Sequence, residues 1–176
     1  KSNGIADSKE ILTKSVSEVL ELDSQIERVA NQIKDSKDIY ILGRSFHFPV
    51  SLEGALKIKE LSYIHAEGMA AGELKHGALA LIDNSSIVIV IHPNDSTYSD
   101  TLSNIHTIKS RGAKIVGISN KRNDVYDYQI IIPTISEFLY PLIEVIPLQI
   151  LAYYLSICNN ANPDYPRNLA KSVTVK

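Results

Sequence analysis

The sequence predicts an α/β layer domain in which helices cover both faces of a parallel sheet. Short apolar runs rich in β-branched residues, such as Ser86–His92, are typical of strands buried on both faces. These runs alternate with stretches of helical periodicity, which is the pattern of βαβ units. The chain has 176 residues, of which 44% are hydrophobic, and this is sufficient for one domain with a core.

The individual elements are predicted from the spacing of apolar residues and from the turn residues between them. Helical spacing over 7–35 is interrupted near 22–25, which indicates two successive helices. Gly43 is expected to end the first strand, and Gly112 to end a later helix as its C-cap. The elements predicted after 7–35 are a strand at 38–43, a helix at 48–65, a strand at 86–92, a helix at 98–111, strands at 113–118 and 128–132, a helix at 139–158 and an extended polar tail at 159–176.

Composition excludes several classes of protein. The formal net charge of -2 gives no general attraction to nucleic acid or to anionic lipid, so neither is expected as a partner. Glu144 and Gln149 interrupt the longest apolar run, so no membrane span is expected. Cys158 is the single cysteine, which excludes an internal disulfide and a cysteine-based zinc site, and we interpret it as a small core residue. No signal peptide is recognised, so a cytoplasmic location is expected.

The densest group of ionisable residues lies in the segment 52–67. On a helix, Glu53, Lys57 and Glu60 are spaced i, i+4 and i+7 and therefore share one face. Such a stripe is either a solvated, salt-bridged surface or a group arranged for proton transfer, and the spacing leaves both interpretations open. His76 presents a similar choice between an exposed loop histidine and a general acid or base.

The polar tail contains two basic residues, Arg167 and Lys171, spaced four apart. A lysine near a chain end is either solvated or folded over a pocket, where it can lose its proton and attack a carbonyl as an amine. In parallel α/β sheets, ligands bind in the loops at the carboxyl ends of the strands. The segments after Gly43, His92 and Ile118 are therefore the expected neighbours of a ligand.

The remaining histidines are weaker candidates. His65 is expected on the same helix as Glu60, whereas His47 and His106 have no suggestive neighbours in the sequence. No pair of histidines has the spacing of a metal motif, so no metal site is expected.

Four blocks of sequence together carry a resemblance to a known family. They are LEGALKIKELSYIHAE at 52–67, AGELKHG at 71–77, LQILAY at 148–153 and PRNLAKSVTV at 166–175. In this order they closely resemble glutamine–fructose-6-phosphate aminotransferase (isomerising). That family has an N-terminal glutaminase domain followed by two sugar-isomerase (SIS) subdomains, and the blocks match the second subdomain and its tail.

The resemblance implies a three-layer αβα sandwich with a parallel sheet, the SIS fold. A helical arm of 1–36 would precede an SIS domain of 37–160, and a catalytic tail of 161–176 would follow. The chain is expected to be a piece of a longer protein, because the glutaminase domain and the first SIS subdomain are not in it.

The resemblance also implies roles for the helix residues. Glu60 would be the base that moves a proton between C1 and C2 of the bound sugar. Lys57 would hold the substrate hydroxyls and the anionic intermediate, and Glu53 would orient the other groups.

Further roles follow for the turn and the tail. His76 would assist ring opening and would reach into the site of the neighbouring subunit. Lys171 would form a Schiff base with the C2 carbonyl of fructose 6-phosphate, and Arg167 would place the tail over the site. Because imine formation needs an uncharged amine, the pKa of Lys171 must be lowered by burial or by positive neighbours such as Lys57 or Arg167.

The activity implied for the whole protein is synthesis of glucosamine 6-phosphate from fructose 6-phosphate and glutamine-derived ammonia, as a homodimer and without a metal or organic cofactor. This chain alone is expected to be inactive, because in the family the first SIS subdomain supplies most sugar-phosphate contacts. Two alternatives stay open. One is a non-catalytic sugar-phosphate-binding SIS module, and the other is a purely structural, dimerising piece.

Overall fold

A computed structural model describes residues 3–169 of the chain. Its centre is a five-stranded sheet in which all paired strands are parallel, in the order β2-β1-β3-β4-β5. The helices are α1 (Asn3–Leu20), α2 (Asp23–Ile33), α3 (His47–Ser62), α4 (Tyr98–Lys109) and α5 (Tyr140–Cys158), and the strands are β1 (Asp38–Gly43), β2 (His65–Ala70), β3 (Ile87–Ile91), β4 (Lys114–Ser119) and β5 (Tyr128–Ile131).

The two faces of the sheet are covered by different elements. On the first face, α2, α3 and α5 pack with side chains such as Ile26, Ile58 and Leu151 into one core cluster. On the second face, two short 3-10 turns at Ala71–His76 and Ala78–Leu81 accompany α4 and bury Leu74 and Ile105. The α/β fold with helices on both faces, predicted from the alternating pattern, is confirmed.

The chain reverses its direction of sheet growth between β1 and β3. β2 is added on one side of β1, and β3 then pairs with the other side. At such a switch point the loops that follow the neighbouring strands diverge and leave room between them. The loops after β1, β3 and β4 lie together at the carboxyl edge of the sheet, where a ligand was expected from the sequence.

The structure corrects one boundary and adds one strand. Helix α3 ends at Ser62, three residues before the predicted end, because Tyr63 adopts a left-handed conformation with φ 63°. His65, expected on the helix with Glu60, instead begins β2. The sequence HAEGMA of β2 has weak strand propensity. It is held as an edge strand by pairing with β1 along its whole length.

Helix α5 is the central helix of the first face. The stretch Glu137–Cys158 is long and apolar enough to cross a membrane by length and composition. In this fold α1, α2 and α3 all pack on α5, and Glu144 is fully buried against α3. We therefore describe α5 as a core helix. Cys158 corrects another expectation, because its side chain is only half-buried and its thiol lies 3.7 Å from the Asn31 side chain.

We expect Gly43→Ala to destabilise the fold. A Cβ at this position would lie 2.7 Å from the backbone nitrogen of Phe48 and closer still to the His47 carbonyl. Overpacking of this kind costs about 1–3 kcal/mol. Chemical denaturation measures the loss, with Gly72→Ala as control, since there the nearest atom is the flexible Arg44 side chain at 3.7 Å. Equal stability of the two variants would contradict the predicted clash.

Candidate functional site

The exposed face of α3 carries the predicted acid–lysine group. Lys57 Nζ donates a hydrogen bond to Glu60 Oε2 at 2.7 Å and lies 3.6 Å from Glu53 Oε1. The predicted sharing of one helix face is therefore confirmed. The side chains of Lys57 and Glu60 are 29% and 28% exposed, so the pair is accessible but partly shielded from water.

The two glutamates stabilise the positive charge of Lys57. The hydrogen bond to Glu60 raises the pKa of Lys57, and although burial opposes this change, the charge of Glu53 adds to it. Lys57 therefore stays protonated, and two carboxylates surround its one positive charge.

A cleft lies beside this helix face, at the C-terminal end of α3. Its volume is about 370 Å³, and it is open to solvent. The last turns of the helix form one wall, and the tail segment 167–169 forms the other. The lining residues are Leu56, Lys59, Glu60, Tyr63, Arg167, Asn168 and Leu169.

The structure brings Arg167 into this cleft by two contacts with Tyr63. The backbone N–H of Arg167 donates to Tyr63 Oη at 2.9 Å, and its guanidinium carbon lies 4.1 Å from the centre of the Tyr63 ring. Arg167 and Glu60 therefore line the same cleft, although 107 positions separate them in the sequence. The predicted position of Lys171 lies outside the described residues.

His76 is in a different part of the molecule. Its exposed side chain ends the 3-10 turn at Ala71–His76, which packs on the second face of the sheet, whereas Glu60 belongs to the helix layer on the first face. Within residues 3–169, no hydrogen bond or ion pair joins His76 to Glu60, Lys57 or Arg167. One copy of this chain therefore does not bring His76 together with the cleft residues.

A buried group of charged side chains that was not predicted lies at the carboxyl edge of the sheet. The Nδ1 atom of His47 lies 2.8 Å from Glu144 Oε2, and Nε2 lies 2.7 Å from Asp95 Oδ2. All three side chains are at most 2% exposed. Because both ring nitrogens face carboxylates, His47 donates both hydrogen bonds only as an imidazolium. The group joins α3 to α5 and to the loop after β3.

The pKa values of His47 and Glu144 reflect their burial and their contact with each other. Burial alone would lower the pKa of His47, but the hydrogen bonds and charges of Glu144 and Asp95 outweigh burial and raise it. Burial raises the pKa of Glu144, and the hydrogen bond and charge of His47 partly oppose this rise. Glu144 Oε1 has no hydrogen-bond partner among the described residues, which agrees with a carboxyl group that is costly to ionise.

Other polar groups tie the carboxyl-edge loops to one another. The backbone N–H of Asn94 donates to Asn120 Oδ1 at 2.7 Å, and Asn120 Nδ2 donates to Thr134 Oγ1. His92 is buried and bonds through Nε2 to the Tyr98 carbonyl. The three loops expected near a ligand do meet, but many of their polar side chains already bond to each other.

We expect the buried imidazolium to make stability depend on pH. The folded pKa of His47 lies above its ordinary value of 6.5. Its contribution to the free energy of unfolding is therefore fully present below pH 6.5, and it is lost as the pH rises through the folded pKa. The pKa of His92 is lowered, chiefly by burial, so its contribution has the opposite sign and is lost as the pH falls.

Comparison with a double variant separates the joint effect of His47 and Glu144 from that of His92. His47→Gln/Glu144→Gln removes the two members of the buried group whose pKa values are raised, and it leaves His92 in place. The stability advantage of the unmodified protein over this variant is expected to shrink above pH 6.5, by at most about 1.4 kcal/mol per pH unit for each of the two groups. Unfolding free energies measured across this range test the prediction. An advantage that does not change with pH would contradict an ionised His47.

Comparison with known proteins identifies the relatives of the chain. The SIS domain family matches residues 32–158. The glutamine–fructose-6-phosphate aminotransferase (isomerising) of Mesorhizobium japonicum is 48% identical over 164 residues, which cover 90% of this chain and 27% of that protein. The chain therefore spans little more than a quarter of the curated relative.

Solved structures give the same result for the fold. The C-terminal domain of glucosamine-fructose-6-phosphate aminotransferase from Francisella tularensis is 33% identical, with a TM-score of 0.82 over 88% of this chain and 44% of that one. The sugar isomerase domain of the RpiR transcription factor from Sphaerobacter thermophilus is 14% identical, with a TM-score of 0.74, and covers 88% of this chain and 90% of that one. The second likeness concerns the fold alone.

Proposed function

Because the chain belongs to the SIS domain family, we propose that it is the C-terminal isomerase subdomain of an enzyme that makes glucosamine 6-phosphate from fructose 6-phosphate and glutamine-derived ammonia. The observation that carries the proposal is the cleft in which Glu60 faces Arg167 of the tail. The similarity to the Mesorhizobium japonicum aminotransferase over 90% of the chain supports the same assignment.

Glu60 is the proposed base for proton transfer between C1 and C2 of the open-chain sugar. Its carboxylate accepts a hydrogen bond from the Lys57 ammonium at 2.7 Å and lines the cleft, where a base has to meet the sugar. Lys57 in turn offers its protons to substrate hydroxyls and to the anionic intermediate. Glu53, 3.6 Å from Lys57, keeps the ammonium turned toward this face of α3.

Lys171 is the proposed nucleophile. Its Nζ atom bonds to C2 of fructose 6-phosphate, the carbonyl oxygen leaves as water, and the resulting iminium stabilises the carbanion formed when Glu60 removes the proton from C1. Attack requires an unprotonated amine. Arg167, which has no carboxylate partner among the described side chains, is the positive neighbour that favours this form.

His76 is the proposed acid or base for ring opening, supplied to the site of the neighbouring subunit in a homodimer. Its exposure, and its position on the layer opposite to Glu60, favour a role in another subunit's site over a role in its own. The glutaminase domain and the first SIS subdomain of the same full-length chain are the further proposed partners. The proposed location of this enzyme is the cytoplasm.

Conversion of fructose 6-phosphate to glucose 6-phosphate tests the proposal. The reaction is measured with and without added ammonia, for this chain and for a chain that also includes the proposed first SIS subdomain. We expect activity only in the longer chain, because the phosphate contacts are assigned to the missing subdomain. If neither chain is active while both bind sugar phosphate, the roles of Glu60, His76 and Lys171 are wrong and a non-catalytic binding module is favoured.

A further inference from the structure

Tyr63 contacts the tail beside the cleft that Glu60 lines. Tyr63 follows the last residue of α3 and has φ 63° and ψ 9°. A residue other than glycine in this left-handed conformation carries a steric cost, so the surrounding contacts have to hold it there. Two such contacts are made with Arg167, one to its backbone N–H and one to its guanidinium.

These two contacts fix both the position and the direction of the tail. A hydrogen bond to the backbone of Arg167 holds the chain at one point, and the stacked guanidinium limits rotation about that point. Asn168, the next residue, is also left-handed with φ 61°, so the chain turns sharply after the anchored residue. The turn carries Leu169 onto the wall of the cleft that Glu60 lines.

Lys171 is only two residues beyond Leu169. It is four residues beyond the anchored Arg167, and four residues span at most about 14 Å of extended chain, so the anchor limits how far from Tyr63 the lysine can reach. The same anchor keeps the Arg167 guanidinium beside the cleft, where its charge favours the neutral amine. Without the anchor, the exposed tail segment at 167–169 has little apolar surface to hold it against the cleft.

We infer that Tyr63 is a positioning residue, which anchors the tail through Arg167 and so sets how often the Lys171 amine faces the C2 carbonyl of the sugar. This inference rests on the proposed function, because it assigns a purpose to Lys171. Tyr63 acts through Arg167 and the tail and does not touch the sugar itself. Its loss is therefore expected to lower kcat and Schiff-base formation, and to leave the KM for fructose 6-phosphate nearly unchanged.

The test traps the Schiff base in the full-length enzyme. Borohydride delivers hydride to C2 of the iminium, and the resulting secondary amine on Lys171 is quantified by mass spectrometry. Tyr63→Phe keeps the ring and its stacking but loses the oxygen that accepts from Arg167, and we expect trapping and kcat to fall about threefold to tenfold. Tyr63→Leu loses both contacts and is expected to lower both quantities by more than about thirtyfold.

A control and a folding measurement accompany these variants. Tyr165→Phe changes a tyrosine that lies two residues before Arg167 and is 83% exposed, and it is expected to leave trapping and kcat unchanged. Hydrogen exchange at the Arg167 amide reports the anchor directly, and we expect it to accelerate in Tyr63→Phe while the exchange of core strand amides stays slow.

The outcomes separate this inference from the proposed function. If Lys171 is trapped in the unmodified enzyme and trapped equally well in Tyr63→Phe and Tyr63→Leu, the positioning role is wrong and the proposed function stands. If Lys171 is not trapped in the unmodified enzyme, the proposed function fails and the role of Tyr63 fails with it. A fall in trapping that is accompanied by a proportionate rise in KM also overturns the inference, because it indicates direct contact with the sugar.

Discussion

Under the proposed function, Glu60→Gln in the full-length enzyme is expected to lower kcat for glucosamine 6-phosphate synthesis by about 10²–10⁴-fold, the usual contribution of a general base. The amide keeps the size of the side chain and still accepts a hydrogen bond from Lys57, but it cannot remove the C1 proton. Because the carboxylate is about a quarter exposed and pairs on a helix surface, its loss should have little effect on stability. Steady-state kinetics and thermal unfolding together measure the two effects.

The chain offers a matched control for this variant. Glu18 pairs with Lys14 at i, i+4 on α1, at 3.7 Å, and both side chains are exposed. Glu18→Gln therefore also neutralises a helix-surface glutamate that pairs with a lysine, in a part of the molecule with no proposed role in the reaction. It should leave kcat unchanged. If Glu60→Gln retains near-normal kcat while the protein stays folded, the proton transfer belongs to another group.

His47→Leu is expected to lower the free energy of unfolding by about 3–5 kcal/mol, the range observed when one partner of a buried charged group is removed. The substitution leaves Asp95 and Glu144 facing an apolar side chain at nearly zero exposure. Asp95 keeps its hydrogen bonds from Thr97, but both carboxyl groups lose the imidazolium. Each must then take up a proton or stay ionised without a charged partner, and either outcome is costly. Chemical denaturation at neutral pH measures the loss.

His65→Leu is the matched control for this effect. His65 lies 2.7 Å from Asp38, the same short distance, but the two side chains are 62% and 52% exposed. An exposed pair of this kind contributes at most about 1 kcal/mol, so His65→Leu should be nearly neutral. If the two variants lose equal stability, burial is not the reason for the importance of His47, and the description of the group as a buried ionic bridge is wrong.

The agreement between sequence and structure is closest where the signal is local. The apolar run of β3 and the i, i+4 and i+7 spacing of Glu53, Lys57 and Glu60 depend only on neighbouring residues, and the structure has both as predicted. The strand β2 was missed because its stability comes from pairing with β1 and not from its own residues. Its glycine also permits close approach, since a Cβ at Gly68 would lie 2.6 Å from the Ser51 carbonyl.

Only part of the site was predicted from the sequence, because several of its contacts join residues that are far apart in the chain. Family resemblance in 52–67 and 166–175 suggested that the helix and the tail act together, but only folding places Tyr63 against Arg167, 104 positions later. His47 was set aside because its partners, Asp95 and Glu144, are 48 and 97 positions away. Glu144 itself pointed to this group, because a lone acidic residue within an apolar helix needs a partner when it is buried.

Local periodicity, composition and short motifs thus determine most of the helices and strands, the charged face of α3 and the protein family that the chain resembles. Each of these depends on residues within a few turns of one another. The meeting of tail and helix, the separation of His76 from Glu60 and the ionisation of His47 depend on distance and on the exclusion of water. These distances and this exclusion of water arise only when segments far apart in the chain pack together. Burial then strengthens each charge interaction and each polar contact, and so raises the cost of losing one.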